Sequence, residues 1–194
     1  MNNKESNQLF LTLKSKLSSL YLSIKEDVDQ IQIEVSLEKF KDLANLLFLD
    51  SELDFKMLLN VTAVDFLDLE FLERSSHTRF EVVYHFLSIT HKNRLRVKVS
   101  VEETNLKIET ITDIYKSAEF LEREVYDMYG IEFLNHPDLR RVLMYPEFKG
   151  FPLRKDYPVQ GKQPRIELRH PEVSNSARLM KRDELVNINS KDKE

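Results

Sequence analysis

The sequence predicts an α+β fold, in which a small mixed or antiparallel sheet packs with helices and an extended irregular C-terminal tail follows. Apolar residues recur at helical spacing in residues 5–24, 36–48 and 117–129, whereas β-type runs lie between residues 31 and 101. All 3 glycines and all 6 prolines lie beyond residue 129, where regular structure is therefore expected to be interrupted.

Charge divides the chain at nearly the same place. From His136 onward the sequence has 13 Lys and Arg against 9 Asp and Glu, whereas the rest of the chain carries a net charge of −8. We therefore predict a globular α+β domain over residues 1–130, followed by an extension over residues 131–194.

The first segment predicts a helix, a strand and a second helix. An apolar stripe at spacings of three and four indicates a helix over about residues 5–24; its members are Leu9, Phe10, Leu13, Leu17, Leu20, Tyr21 and Ile24. Ile31, Ile33 and Val35 alternate with polar residues, as in a half-buried strand. Ser36 is a candidate cap for the second helix, whose inner face is Leu37, Phe40, Leu43, Ala44, Leu47 and Phe48.

Three β-rich runs follow, over residues 57–69, 79–89 and 95–101. A short polar link joins the last two, which predicts an antiparallel hairpin with one wet face. The polar residues 70–78 are expected to form a surface loop.

A third helix is predicted from Ser117 to Tyr129, ended by Gly130 in a left-handed conformation. Its apolar stripe is Ala118, Leu121, Val125 and Met128. Glu119, Arg123 and Asp127 are four residues apart on another face, where each ion pair, if exposed, is worth roughly 0.2 to 0.5 kcal/mol.

Composition limits the chemistry. The sequence has no Cys, which excludes disulfides, thiolate zinc sites and Cys-ligated iron–sulfur clusters in this chain. It has no long apolar run, no recognisable signal or transit peptide, no GxGxxG motif and no P-loop. We expect a soluble chain that reaches a membrane only through other proteins.

The stretch from Glu122 to Pro158, here called the signature segment, carries the most specific pattern. Its motifs EREVYDMYGIEF, HPDLRR and GFPLRKDYP resemble the thirty-kilodalton, C-type subunit family of the proton-pumping NADH:quinone oxidoreductase, respiratory complex I. The residues that match as signature and partner-interface positions are Glu122, Arg123, Glu124, Asp127, Gly130, His136, Pro137, Asp138, Arg140, Arg141, Gly150, Pro152, Arg154, Lys155, Asp156 and Pro158. Family members commonly have Trp where this chain has Phe120, which keeps a large apolar plug.

The resemblance implies a non-redox structural and assembly subunit of the peripheral arm. Its body and tail would hold the hydrogenase-like, quinone-reducing D-type subunit and contact the terminal iron–sulfur, B-type subunit. NADH, FMN, iron–sulfur clusters and quinone would belong to the holoenzyme, with no catalytic, cofactor or metal residue in this chain. The expected location is peripheral, on the cytoplasmic side of a bacterial inner membrane. The equivalent subunit of a membrane-bound hydrogenase complex is a related alternative.

Other interpretations of single residues are weaker. Glu122 and Glu124 point to different faces of one helix, which favours structural ion pairs over acid–base catalysis. For His136, a capping or packing role is favoured over a general base paired with Asp138, and Pro137 and Asp138 suggest a short helix over residues 137–144. His85 and His91 lack the neighbouring carboxylates of a metal site.

The alternative from a different class is RNA binding by the basic, aromatic-containing residues 140–182. Against it stand the acidic overall balance and a predicted sheet without a paired aromatic platform. The tripeptide at residues 136–138 also occurs in J-domain co-chaperones, but there it follows a basic amphipathic helix, whereas Gly130 and the strand-like residues 131–133 precede it here.

Overall fold

The computed structural model describes residues 3–27, 30–67, 78–160 and 163. The chain divides into two compact units, Met1–Gly161 and Lys162–Glu194, and the account below concerns the first. Residues 131–160 belong to this first unit, while the division at residue 130 as a functional boundary stays a prediction.

The described part of the chain contains both helices and strands. Their order is α1 (Asn3–Lys16), β1 (Tyr21–Asp27), β2 (Gln30–Val35), a 3-10 turn (Leu37–Lys39), α2 (Phe40–Leu49), β3 (Met57–Asp65), β4 (Phe80–Ser88), β5 (Asn93–Val101), β6 (Lys107–Glu109), α3 (Ala118–Tyr129) and β7 (Glu132–Leu134). The predicted fold class is confirmed.

The main sheet has the strand order β1-β2-β5-β4-β3. The pairing of β2 with β5 is parallel and the other pairings are antiparallel, including the predicted hairpin of β4 and β5. A separate parallel pair joins β6 to β7. No described helix is both long and apolar enough to cross a bilayer.

One face of the sheet, called the inner face, packs against α1 and α2. Burial alternates along β2 and β5, so every second residue points into the core. The largest fully buried side chains come from these elements and their neighbours, among them Leu13, Leu17, Phe40, Leu43, Tyr84 and Phe86. The opposite or outer face carries the intervening residues, including Gln32, Arg96 and Lys98, which are only half-buried.

The predicted helix over residues 5–24 is wrong beyond Lys16, because residues 21–27 form β1. A register shift between Tyr21 and Ser23 adds one residue to this edge strand. Tyr21 then pairs with Val35 and Ile24 with Ile33, so residues three apart share one face. The bulge therefore imitates the spacing of a helix.

Two kinds of local prediction also fail. Ser36 and Ser117 make no side-chain capping hydrogen bond; the Ser117 hydroxyl donates instead to the Leu58 carbonyl, 3.2 Å away. Residues 137–144 form turns and bends, not a short helix. Most of the predicted surface loop, from residue 70 to 77, lies outside the described residues.

Candidate partner-binding surface

Helix α3 carries two carboxylates that are buried, although charged residues on a surface helix are expected to face water. Both Glu122 and Asp127 are 0% exposed. Burying an ionised carboxylate costs free energy unless hydrogen bonds replace its water. The partners of these two groups therefore show what α3 holds in place.

Asp127 binds the turn that follows the HPDLRR motif. Its Oδ2 accepts hydrogen bonds from the backbone N–H groups of Val142 (3.0 Å), Leu143 (2.8 Å) and Met144 (2.8 Å). Its Oδ1 accepts from Arg141 Nη1 at 2.7 Å. Three successive N–H groups converging on one oxygen make an anion-binding nest, which stands where the short helix was predicted. Arg123 does not pair with Asp127, so the predicted exposed ion pair is wrong.

The environment of Asp127 favours its charged form. Burial alone would raise its pKa, but hydrogen bonds from Met144, Arg141, Leu143 and Val142 lower the pKa below its ordinary value. The carboxylate is therefore a permanent negative anchor for this turn near neutral pH.

Arg141 and Arg154 extend the attachment into the GFPLRKDYP motif. Arg141 Nη2 donates to the Gly150 carbonyl at 3.1 Å, and its guanidinium lies 5.3 Å from the Phe151 ring centre. Arg154 Nε donates to the Tyr129 carbonyl at 2.6 Å, and its guanidinium lies 4.5 Å from the same ring. Both guanidinium groups therefore lie within cation–π distance of Phe151.

Gly130 ends α3 with φ 73°, as predicted. The limited space around residue 130 requires glycine, as does its left-handed backbone conformation. A Cβ on residue 130 would lie 2.5 Å from the Phe151 ring and 2.7 Å from Arg154 Nη2. The helix stop therefore also allows the later motif to approach α3 closely.

Asp65, at the end of β3, provides a second anchor that sequence reasoning missed. Its carboxylate accepts from Arg79 Nε and Nη2, both at 3.0 Å, and from the Lys155 backbone N–H at 2.9 Å. Arg79 also pairs with Asp156 at 3.0 Å and with Glu103. Although burial opposes it, these hydrogen bonds lower the pKa of Asp65. Asp65 and Arg79, at the ends of β3 and β4, thereby hold the Lys155–Asp156 dipeptide. The sequence signal for this anchor was an Asp and an Arg at adjacent strand ends.

Glu122 makes no ion pair within the described residues, so that part of the prediction is wrong. Its Oε1 accepts from the Ile111 N–H at 3.0 Å, and its Oε2 lies 2.5 Å from Thr110 Oγ1. Thr110 Oγ1 lies in turn 3.0 Å from Thr112 Oγ1. Burial raises the pKa of Glu122 to about 7, despite these hydrogen bonds. Glu122 therefore fixes α3 to residues 110–112 through neutral groups.

His136 and its neighbours hold the start of the HPDLRR motif against α3. His136 Nδ1 accepts the Asp138 N–H at 3.1 Å, which leaves Nε2 to donate to the Glu119 carbonyl at 2.9 Å. Arg123 Nε donates to the Arg140 carbonyl at 3.2 Å. Both nitrogens of the imidazole are engaged within the chain.

Large side chains in and just before the signature segment nevertheless remain exposed. Arg140 has 73% of its side chain exposed, held by a 2.9 Å hydrogen bond to Asp138. Phe120, Leu143 and Leu153 are exposed at 55%, 54% and 50%. Phe120 therefore does not act as a plug within this chain. We call Phe120, Arg140, Leu143 and Leu153 the exposed signature residues.

The remaining predicted residues lie close to these anchors but are not all joined to them. Gly150 has φ 90° and faces the Tyr157 ring. Glu124 and Pro152 are half-buried, and Pro137, Pro158 and the Lys155 side chain are exposed. In the described part of the chain, no three His, Asp or Glu side chains gather as metal ligands.

Comparison with known proteins identifies the family of this chain. The model for the respiratory-chain NADH dehydrogenase 30-kDa subunit matches residues 33–163, a range that includes half of β2, all of β3 to β7 and the signature segment. The chain belongs to this family. The family predicted from the signature segment is therefore confirmed.

Relatives of the family cover most of the chain. The C-type subunit of NADH-quinone oxidoreductase from Geobacter sulfurreducens is 41% identical over 157 residues, which is 81% of this chain and 92% of the relative. That of Ruegeria pomeroyi is 41% identical over 149 residues, which is 77% of this chain and 70% of the relative.

Two solved structures share the fold. The trypsin-resistant fragment (1–134) of Nqo5 aligns with a TM-score of 0.57 at 29% identity, covering 70% of this chain and 99% of the fragment. A chain of an archaeal respiratory membrane complex, the membrane-bound sulfane sulfur reductase, aligns with a TM-score of 0.64 at 22% identity, covering 91% of this chain and 93% of that one. Nothing in the fold or these comparisons supports the RNA-binding alternative.

Proposed function

We propose that this complex I subunit is a non-redox scaffold that holds the hydrogenase-like, D-type subunit and the iron–sulfur, B-type subunit in the peripheral arm. The holoenzyme carries electrons from NADH through FMN and iron–sulfur clusters to quinone and couples this to proton translocation. The chain's own residues bind partners and position them.

One observation carries this proposal. Several charged signature residues bind other parts of this chain: Asp127 binds Arg141 and the turn after HPDLRR, and Arg154 binds the end of α3. This attachment fixes the segment while Phe120 and Arg140 stay exposed. Aromatic residues and Arg are enriched in protein interfaces and dominate their binding energy.

The same geometry argues for binding over catalysis. The Glu122 side chain is buried, and both ring nitrogens of His136 make hydrogen bonds within the chain. A general acid or base must reach a substrate proton at hydrogen-bond distance. The proposal therefore assigns the signature residues no catalytic role.

Location follows from the partners. We place the chain on the cytoplasmic side of a bacterial inner membrane, attached through the rest of the complex.

The Nqo5 relative is described by a trypsin-resistant fragment, and we propose that the body of this chain likewise resists trypsin while residues 162–194 are protected by the partners.

Co-purification tests the proposal. The full chain, tagged and co-expressed with its hydrogenase-like and iron–sulfur partners, is expected to retain both. Replacing Phe120 and Arg140 together by Ala should weaken retention, because each interface anchor is worth about 2 kcal/mol, or about thirtyfold in Kd. Leu22→Ala is the matched control, since Leu22 is exposed on the edge strand β1.

Two outcomes would count against the proposal. Failure of the unchanged chain to retain either partner would remove the scaffold assignment. Full retention by the folded double variant, verified by circular dichroism, would place the binding surface elsewhere on the chain.

A further inference from the structure

A second set of cationic and amide side chains lies on the outer face of the sheet, away from the signature segment. Two neighbouring cross-strand rows contain it. The first row consists of Asn60, His85, Arg96 and Gln32 in register. The second consists of Met57, Leu87 and Arg94, with Gln30 at the start of β2.

The backbone opens a cavity between these rows. A register shift in β3 leaves Leu59 out of the pairing with β4, and such bulges redirect neighbouring side chains. The cavity has a volume of about 370 Å³ and is lined by Gln30, Leu59, Asn60, His85, Phe86 and Arg94. It is open to solvent, so a ligand can enter it without a conformational change.

The positive charge of this cavity is not neutralised by the residues that line it. None of them is acidic. Within the described ranges, neither Arg94 nor His85 has a hydrogen bond or ion pair to its side chain. Burial and the charge of Arg96, which is in register with His85, both lower the pKa of His85, so the charged imidazole is disfavoured in the empty cavity. An anion in the cavity offsets both effects and favours protonation of His85.

We propose that this cavity binds a phosphate monoester group. A phosphate monoester carries close to two negative charges near pH 7 and three acceptor oxygens. Arg94 supplies one positive charge, a bound dianion favours protonation of His85 to supply a second, and the Asn60 amide supplies a third donor. A carboxylate carries one charge and two acceptor oxygens, so it would use fewer of these donors. The phosphate can belong to a free metabolite or to a phospholipid headgroup.

The test titrates the full chain with inorganic phosphate and adenosine monophosphate, and separately with vesicles containing phosphatidic acid. Saturable binding of the free anions is expected, together with a rise in the pKa of His85 followed by NMR of its imidazole, because a bound anion stabilises the cation. Arg94→Ala should weaken binding about tenfold through loss of a charge-assisted hydrogen bond, and Asn60→Asp should abolish binding by repulsion.

Lys14→Ala is the control, because Lys14 is exposed on α1, which packs against the opposite, inner face of the sheet. Binding to vesicles but not to the free anions would assign the phosphate to a lipid. The absence of saturable binding to all three probes would overturn the proposal. An equal effect of Lys14→Ala and Arg94→Ala would overturn it too, because binding would then reflect net charge alone.

Discussion

Replacing Glu122 by Gln should stabilise the protein at neutral and alkaline pH. The folded chain holds the carboxyl group fully buried with a pKa of about 7, against an ordinary value of 4.5. The folded state therefore favours the protonated acid. Glutamine has the shape of that acid and can still accept from Ile111 and donate to Thr110.

The sign and size follow from proton linkage. A pKa raised in the folded state means that the group's contribution is complete below about pH 4.5 and is lost as pH rises through about 7. The difference between the two pKa values corresponds to about 3 kcal/mol at pH 8, since one pKa unit is worth about 1.4 kcal/mol. For a domain of this size that is roughly 6–12 °C in Tm.

Urea unfolding of both proteins between pH 4 and 8 measures the effect as a difference, in which all other titrating groups cancel. The Gln variant should match the unchanged protein near pH 4 and exceed it increasingly up to pH 8. Glu119→Gln, at an exposed position of the same helix, should leave the difference flat. A Gln variant that gains nothing as pH rises would refute the reasoning that Glu122 is protonated by burial.

Three further substitutions test the packing and the anchors. Tyr84→Phe should leave the free energy of unfolding in urea unchanged or raise it by about 1 kcal/mol, because the buried Tyr84 hydroxyl has no hydrogen-bond partner in the described structure. A clear loss of stability would instead show that the hydroxyl has a partner. Asp127→Asn should lower the free energy of unfolding by about 3–5 kcal/mol at pH 7. This loss should shrink as pH falls below about 4, since the pKa of Asp127 is lowered in the folded chain. A loss of stability independent of pH would contradict the charged anchor. Gly130→Ala should cost about 2–4 kcal/mol in thermal unfolding, from the left-handed backbone and the contact with Phe151; a neutral result would show that the ring moves away freely.

Sequence alone predicts those elements whose pattern is local. The alternation of Ile31, Ile33 and Val35 and the spacing of Phe40, Leu43 and Leu47 reflect single faces, and both elements lie where expected. Strand β1 escapes this reasoning because its bulge gives Tyr21 and Ile24 the three-residue spacing of a helix. Periodicity cannot distinguish these cases without the partner strand.

The candidate site is predictable as a segment but not as a set of contacts. Helical spacing assigns Asp127 to an exposed face, because its partners lie 14 to 17 residues away in a turn that no local rule connects to α3. Asp65 lies 90 residues from Lys155, so only the folded sheet brings them together. Arg140 and Arg141 are adjacent and of the same residue type, yet the Arg140 side chain is exposed and the Arg141 side chain pairs with buried Asp127. The sequence gives no basis for distinguishing them.

The central claim is that the exposed signature residues contact partner subunits while the buried anchors hold the segment in place. Site-specific photo-crosslinking in the assembled complex tests it most directly, with a photoreactive phenylalanine analogue at Phe120 and, as the comparison, at the comparably exposed Leu22. We predict crosslinks to the hydrogenase-like or the iron–sulfur partner from position 120 and none from position 22. Crosslinks from position 22 alone, or from neither position, would contradict the account.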